Sequence, residues 1–217
     1  MSVEKNTERL SNCYSAVIHD IMRDDGYKDF TLPPQIKPCK KHHVLAGQIF
    51  TMEGEIDKTL SHHDTLLAWT GFLSKAPKNR VVICQPNNNE VALMGELSAE
   101  TLQLKGVKGY IVDGGARDLD FILKIDFPVW SSFYTPRDVV GYWKPTKFEQ
   151  IIKIGKTIIH NNDYVLADID GIVVIPSNII EKILDRAEKL INTENLVRKS
   201  IREGMDPQEA YLKYSAF

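Results

Sequence analysis

Two short apolar segments joined by one helix-length segment constrain the fold of this chain most. Arg80–Cys84 reads RVVIC and Gly109–Asp113 reads GYIVD, and neither run alternates between polar and apolar residues. Continuous apolar runs of this length are typical of strands that are covered on both faces, as in parallel sheets. The segment between them, GELSAETLQLKG, predicts a helix that begins near Ser98 and stops at Gly106. The order strand, helix, strand predicts a βαβ-like unit and hence an α/β fold.

Hydrophobic spacing predicts the remaining main elements. Helices are expected over Thr7–Asp25, over Asp64–Leu73 with Asp64 as its cap, and along most of the chain after Ser177. Strands are expected at Val44–Met52, at Phe127–Trp130 and in a hairpin over Tyr164–Ile175. With 217 residues, no repeat and no Gly/Ser linker, the chain is expected to form one domain over residues 1–217, with a C-terminal helical extension at about 177–217.

Composition argues against several classes of function. The 27 basic and 29 acidic residues give a net charge of −2, which does not favour nucleic-acid binding. No run approaches the roughly 18 apolar residues of a membrane span, so no membrane partner is expected. Cys13, Cys39 and Cys84 are odd in number and form no CxxC pair, which argues against a disulfide framework and a structural zinc site. A cytoplasmic location is the resulting expectation.

The chemically most suggestive segment is DGGARD, residues 113–118, directly after the strand GYIV. Ligands of α/β sheets gather at the carboxyl ends of strands, and two glycines would let the backbone approach a ligand closely. The Arg117 guanidinium can bind a carboxylate and stabilise an enolate oxygen, whereas the Asp118 carboxylate offers a hard oxygen ligand to Mg²⁺ or Mn²⁺. An ordinary surface ion pair after a glycine turn is the alternative interpretation.

A second candidate segment, Gly95–Ser98, precedes the central helix of the βαβ-like unit. Backbone N–H groups and the positive end of the helix dipole favour an anion at such a position. A substrate carboxylate is therefore a candidate ligand, and a plain helix start with a serine cap is the alternative.

Taken together, the two segments resemble the RraA-like family. Its enzymes carry an acidic residue, twenty intervening residues and then Arg–Asp, as do Glu96, Leu97–Ala116 and Arg117–Asp118 here. The resemblance extends over the block GELSAETLQLKGVKGYIVDGGARD, the segment FPVW, DYVLADIDGIVVIP and REGMDPQEAYLKY, and it covers most of the chain. The members it is most similar to are 4-hydroxy-4-methyl-2-oxoglutarate and 4-carboxy-4-hydroxy-2-oxoadipate aldolases, with oxaloacetate decarboxylase activity.

This resemblance implies a fold and a set of roles. The implied fold is α/β, an RraA-like, swivelling-domain type of layered αββα sandwich with a C-terminal helix. The implied activity is a divalent-metal-dependent carbon–carbon lyase for a small 2-oxo acid, in a homotrimer or hexamer with sites between subunits. Asp118 would bind Mg²⁺ or Mn²⁺, and Arg117 would bind substrate and stabilise the enolate. The amides of Gly95, Glu96, Leu97 and Ser98 would hold the pyruvyl carboxylate, and Glu194 would act in the active site of a neighbouring subunit.

Departures from the family pattern leave the substrate open. Phe121 stands where an acidic residue is frequent, and Glu96 replaces the aspartate common in the aldolases. Two alternatives therefore stand beside the aldolase: a non-enzymatic regulator resembling the RNase E inhibitor RraA, and a lyase for another hydroxy or sugar acid. Such regulators depart from the Arg–Asp pair, so the presence of Arg117 and Asp118 favours the enzyme.

Overall fold

The computed structural model describes residues 2–216 as seven α-helices, one short 3₁₀ turn and ten strands. The helices are α1 (Val3–Ser11), α2 (Ser15–Asp24), α3 (His62–Lys75), α4 (Glu96–Leu104), α5 (Leu119–Ile125), α6 (Ile180–Arg202, preceded by the 3₁₀ turn Ser177–Ile179) and α7 (Pro207–Tyr214). The strands are β1 (Lys37–Pro38), β2 (Leu45–Ile56), β3 (Arg80–Gln85), β4 (Gly109–Ala116), β5 (Val129–Tyr134), β6 (Trp143–Phe148), β7 (Ile152–Ile154), β8 (Thr157–Ile159), β9 (Tyr164–Ala167) and β10 (Ile172–Ile175).

Eight strands form one mixed sheet in the order β1-β5-β4-β3-β2-β9-β10, and β6 also pairs with β2. Strands β2, β3, β4 and β5 are parallel, whereas β1, β6, β9 and β10 join antiparallel. The long strand β2 bends where its pairing with β6 shifts register between Glu53 and Gly54. A side chain at Gly54 would collide with the Trp143 ring, because its Cβ would lie 1.9 Å from Cζ2. Glycine there lets the sheet curl around its own core.

Alternate residues of the parallel strands bury their side chains on opposite faces. Val82 of β3 and Tyr110 of β4 pack with α3, α4 and α5 on one face. Ile83 and Ile111 pack on the other face against the β7–β8 hairpin and β9–β10. Helices α1, α2 and α6 cover β9 and β10 from outside. The parallel strands are therefore covered on both sides, as their apolar runs predict.

The structure confirms the mixed α/β prediction, the βαβ-like unit and the β9–β10 hairpin. The prediction of one helix over Thr7–Asp25 is wrong. The chain breaks between α1 and α2, where the buried Asp168 carboxylate accepts hydrogen bonds from the Ser15 amide and hydroxyl, both at 2.7 Å. Because those bonds tie the start of α2 to the β9–β10 turn, α1 cannot continue straight into α2.

Two helix starts also differ from the expectation. Helix α3 is capped by Ser61, which accepts a hydrogen bond from the Asp64 amide at 3.1 Å, so Asp64 lies inside the first turn. Helix α4 begins at Glu96, two residues before the expected Ser98. Across residues 2–216, no helix is both long enough and apolar enough to span a membrane.

Candidate functional site

The Arg117–Asp118 pair lies where β4 turns into α5. Asp118 adopts a left-handed backbone conformation with φ of 56°, which aspartate tolerates better than most residues. Its carbonyl accepts hydrogen bonds from Phe121 and Ile122, so it starts the helix. The strand thus ends sharply, and consecutive side chains are left at the sheet edge.

The two glycines before this pair have a packing role. A Cβ at Gly115 would lie 2.7 Å from the Phe133 ring and 2.8 Å from the Val91 carbonyl oxygen, and one at Gly114 would lie 3.0 Å from Leu93. Neighbouring chain therefore fills the space that side chains at these two positions would need. Close approach of a ligand to this stretch of backbone stays a prediction.

That neighbouring chain carries the second candidate segment to the same place. The Leu93 amide donates to the Gly115 carbonyl at 2.8 Å, and the Arg117 amide donates to the Met94 carbonyl at 2.9 Å. This strand-like pairing brings Gly95 against the acid, where its Cβ would lie 2.7 Å from Asp118 Oδ2. The two sequence segments therefore form one site.

Asp118 and Arg117 are held by a small network of polar contacts. Asp118 Oδ2 accepts a hydrogen bond from the Glu96 amide at 3.2 Å and lies 3.4 Å from Arg117 Nε. The far end of the same guanidinium, Nη1, lies 3.5 Å from Asp138 Oδ2 and donates to the Pro136 carbonyl at 3.5 Å. Arg117 therefore spans two carboxylates, and each approaches a different nitrogen.

Asp138 is the residue that sequence analysis missed. It lies in the loop after β5, the strand next to β4, and its Oδ1 accepts a hydrogen bond from the Val140 amide at 3.1 Å. The available signal is an acidic residue a few positions beyond a predicted strand of the same parallel set, because such strand ends share one edge of the sheet.

These residues line a cavity of about 430 Å³. Its polar members are Glu96, Ser98, Arg117, Asp118 and Asp138, with Thr70 and Thr101; its apolar members include Leu66, Trp69, Leu73, Leu97, Val139 and Val140. The Trp69 indole N–H donates to the Ser98 hydroxyl at 2.9 Å, which fixes the hydroxyl against the wall. A second cavity of about 320 Å³ is also lined by Arg117 and Asp118 and includes Tyr134.

The first turn of α4 lines this cavity. The Glu96 amide is already used by Asp118, so the amides of Leu97 and Ser98 are the ones left for a ligand. Gly95, Glu96, Leu97, Ser98, Arg117 and Asp118, which sequence analysis selected, all line this one cavity.

Glu194 lies elsewhere in the chain. Its carboxylate accepts a hydrogen bond from the Tyr14 hydroxyl, and it lines a separate cavity on α6 with Val197 and Arg198. Partial burial, followed by the bond to Glu194, raises the pKa of Tyr14 to about 12. A role for Glu194 in the site of a neighbouring subunit stays a prediction.

The donor set of the cavity fits a hard divalent cation. The acidic residues Glu96, Asp118 and Asp138 line the same cavity as Arg117. Mg²⁺ and Mn²⁺ prefer oxygen ligands, and Mg²⁺ commonly keeps several waters while one or two carboxylates hold it. No cluster of three or more His, Cys, Asp or Glu residues arranged to bind a metal occurs within residues 2–216. Asp118 is the residue best placed to provide the protein ligand, since the Glu96 amide and Arg117 Nε both hold its carboxylate in position.

Fold and site together define a mixed α/β protein with an acidic, arginine-containing cavity where the carboxyl ends of parallel strands meet a helix N-terminus. A family model described as RraA-like, Aldolase/RraA, matches residues 15–174. The chain belongs to this RraA-like family, and its fold is the RraA-like α/β fold that the sequence predicts.

Relatives within the family carry different names. A Halalkalibacterium halodurans protein named "Putative 4-hydroxy-4-methyl-2-oxoglutarate aldolase" is 24% identical over 87% of this chain and 86% of its own length. Protein DlpA of Legionella pneumophila is 23% identical over 95% of this chain, but the match spans only 33% of DlpA. This chain thus corresponds to about a third of that relative.

Solved structures share the fold. One, described as belonging to novel cellulases from microbes associated with the gut ecosystem, has a TM-score of 0.83 with 27% identity, covering 90% of this chain and 87% of that one. Another is RraAS2 of Streptomyces coelicolor, described as an unusual member of the RNase ES inhibitor RraA protein family. It has a TM-score of 0.81 with 20% identity, covering 90% of this chain and 98% of its own.

Proposed function

We propose that this protein is a divalent-metal-dependent carbon–carbon lyase that acts on a 2-oxo acid, by retro-aldol cleavage or by decarboxylation through a pyruvate enolate. The observation that carries the proposal is the convergence of Arg117, Asp118 and the first turn of α4 on one cavity. The aldolase name of the H. halodurans relative supports the same activity.

Each of these groups has a defined task in the reaction. The amides of Leu97 and Ser98 bind the substrate carboxylate, because the start of a helix favours an anion. The Arg117 guanidinium donates to the 2-oxo oxygen, where negative charge grows as the enolate forms. Asp118 would hold the cation, and Glu96 and Asp138 would add negative charge to the same cavity. Bound Mg²⁺ or Mn²⁺ would supply Lewis acidity at the 2-oxo group.

Both reactions break the C3–C4 bond of the substrate. In the retro-aldol reaction the C4 hydroxyl loses its proton and becomes a carbonyl, and the electron pair of the broken bond forms the C2–C3 double bond of the enolate. Glu96, which lines the cavity, and Glu194 of a neighbouring subunit are the candidate bases for that proton. In decarboxylation the same electron pair remains on C3 as CO₂ leaves. Protonation of C3 then gives pyruvate in either case.

We further propose a homotrimer or hexamer with sites between subunits, and a cytoplasmic location. Leu66 and Leu97 at the cavity rim are 42% and 75% exposed, which suits a rim that a second subunit covers. The thiols of Cys13, Cys39 and Cys84 are free, as in a reducing compartment.

The test is pyruvate release from a panel of 2-oxo acids that includes 4-hydroxy-4-methyl-2-oxoglutarate and oxaloacetate, with Mg²⁺, Mn²⁺ or EDTA. We expect release that requires the metal and is lost in Asp118→Asn and Arg117→Ala. Borohydride with pyruvate should trap no lysine adduct, because the scheme contains no Schiff base. No release above the metal-only background from any acid would overturn the proposal, and capture of a ribonuclease in its place would support a regulator.

A further inference from the structure

We infer that the part of the substrate beyond its 2-oxo acid end is uncharged, so the site favours retro-aldol cleavage over decarboxylation and its preferred substrate is a 2-oxo monocarboxylate with a neutral tail. This inference rests on the proposed function and deepens it, because it names the class of acid that the same cavity accepts.

The charges that line the cavity carry the inference. Among the residues that the structure describes, Glu96, Asp118 and Asp138 line it as carboxylates, and Arg117 is its single cationic side chain. The smaller cavity, which Arg117 and Asp118 also line, has no further charged side chain of the described chain in its wall. These four side chains carry a net charge of −2, and one 2-oxo carboxylate with one divalent cation bring the occupied cavity to −1. A second substrate carboxylate would add a further negative charge without a counterion.

Arg117 is not available for a second carboxylate. Its Nε lies 3.4 Å from Asp118 and its Nη1 lies 3.5 Å from Asp138, so two of the three guanidinium nitrogens already have an acidic neighbour and the third is left for the 2-oxo end of the substrate. The proposed reaction also directs this group to the 2-oxo oxygen. A distal carboxylate would therefore have to displace Asp138, which a backbone hydrogen bond from Val140 holds in place.

Cations close to the site in sequence are engaged elsewhere. Arg137, adjacent to Asp138, pairs with Glu90 at 2.6 Å and places its guanidinium 4.5 Å from the centroid of the Tyr142 ring. Lys105, at the end of α4, donates to the Ser74 carbonyl at 2.6 Å. Neither of these side chains lines the cavity.

The rest of the wall suits a neutral group. Leu66, Trp69 and Leu97 lie beside the polar end, and the Trp69 indole N–H is already satisfied by Ser98. An alkyl or hydroxyalkyl tail would bury apolar surface there, whereas a carboxylate would lose its hydration next to three like charges.

A pair of substrates that differ in one group tests the inference. 4-Hydroxy-4-methyl-2-oxoglutarate carries a carboxylate where 4-hydroxy-4-methyl-2-oxopentanoate carries a methyl group; the first yields two pyruvates and the second yields pyruvate and acetone. We expect kcat/KM for the neutral-tailed acid to be higher by about tenfold or more.

Binding without turnover provides a second readout, because the two 4-hydroxy acids differ in intrinsic reactivity. Calorimetric Kd values, measured with Mg²⁺, should be lower for 2-oxopentanoate than for 2-oxoglutarate.

Placing a cation in the wall should reverse the preference. Leu66 lines the cavity, and Leu67, 62% exposed on the same helix, does not. Leu66→Lys should improve binding of 2-oxoglutarate relative to 2-oxopentanoate by about tenfold, whereas the matched variant Leu67→Lys should leave the ratio unchanged.

The outcomes separate this inference from the proposed function. Metal-dependent release with a preference for the dicarboxylate in wild type, unchanged in Leu66→Lys, would keep the lyase and overturn the neutral tail, since the missing cation would then come from another subunit. Failure of every acid to release pyruvate would overturn the lyase and the inference together. A wild-type preference for the neutral-tailed acid that Leu66→Lys reverses would support both the lyase and the neutral tail.

Discussion

The Asp118 carboxylate accepts a hydrogen bond from the backbone amide of Glu96 at 3.2 Å. This contact joins the segment that follows β4 to the first turn of α4, although the two residues are 22 positions apart in sequence. The fixed spacing between Glu96 and Asp118 therefore corresponds to a physical contact. In the proposed lyase, the carboxylate that holds the cation and the amides that bind the substrate move as one unit.

Replacing Asp118 by asparagine should remove activity and leave the fold intact. Asparagine tolerates the left-handed backbone of this position, but its neutral amide is a poor ligand for a hard cation. We expect kcat/KM to fall by about two orders of magnitude or more, with little change in Tm. Asp120→Asn, an exposed neighbour outside the cavity, is the matched control and should behave as wild type. Equal losses in the two variants would remove Asp118 from the site.

Gly95→Ala tests the close approach between the two segments. The backbone at Gly95 is extended, so alanine adds no backbone strain, but its Cβ would lie 2.7 Å from Asp118 Oδ2 and 3.3 Å from Arg117 Nε. We expect activity to fall at least about tenfold while the free energy of unfolding changes by about 1 kcal/mol or less. Gly71→Ala in α3 has open space around its Cβ and should stabilise the helix by about 0.5–1 kcal/mol with full activity.

Much of the site is predictable from sequence because it uses neighbouring parallel strands. The runs RVVIC and GYIVD identify β3 and β4, and the carboxyl ends of parallel neighbours meet at one edge. That rule brings the segment after β3 towards Arg117 and Asp118 before any contact is known. Asp138 lies at the same edge, but the predicted strand before it ends at Trp130, four residues before β5 ends, so the rule places Asp138 only once the full length of β5 and its pairing with β4 are known.

Other elements escape prediction because their sequences carry weak patterns. Strand β6 reads WKPTKF, with a proline and two lysines that lower its strand signal, and it forms only by pairing with the bent half of β2. The break between α1 and α2 depends on Asp168, a residue more than 150 positions away. Long-range contacts, rather than local propensity, decide both features.

Acid pH should weaken one surface pair in a defined window. The hydrogen bond from Lys144 at 2.8 Å, followed by those from Thr59, lowers the pKa of Asp57 from 3.8 to about 2. Because the pKa of Asp57 is lower in the folded than in the unfolded protein, its ion pair with Lys144 contributes its full stabilisation above about pH 4. That stabilisation is lost as the pH falls from about 4 towards 2. Urea midpoints of wild type and Asp57→Asn should differ by a constant amount from pH 5 to 7 and converge below pH 4. Lys144→Met should lose the same pH-dependent part of the stability. A difference in urea midpoint between wild type and Asp57→Asn that persists at pH 2 would contradict the role given to this ion pair.

Subunit mixing tests whether Glu194 acts in a neighbouring site. Within one chain the Glu194 carboxylate is bonded to Tyr14, away from the Arg117–Asp118 cavity, so any catalytic role requires a second copy. If it has that role, Glu194→Gln and Asp118→Asn oligomers are each inactive, but co-refolded mixtures regain activity. An equal mixture should recover about a quarter of wild-type activity, because each site has an even chance of an intact Asp118 and an even chance of an intact Glu194 from the adjacent subunit.

The alternative is that Glu194 only fixes α6 against Tyr14. In that case Glu194→Gln and Tyr14→Phe would lower Tm by similar amounts, each would retain activity, and the double variant would cost no more than either single change. A mixture of Glu194→Gln and Asp118→Asn chains would then gain only the activity of its Glu194→Gln sites. Activity of the Glu194→Gln oligomer by itself therefore decides between the two roles, and Tyr14→Phe is the control because it removes the bond and keeps the carboxylate.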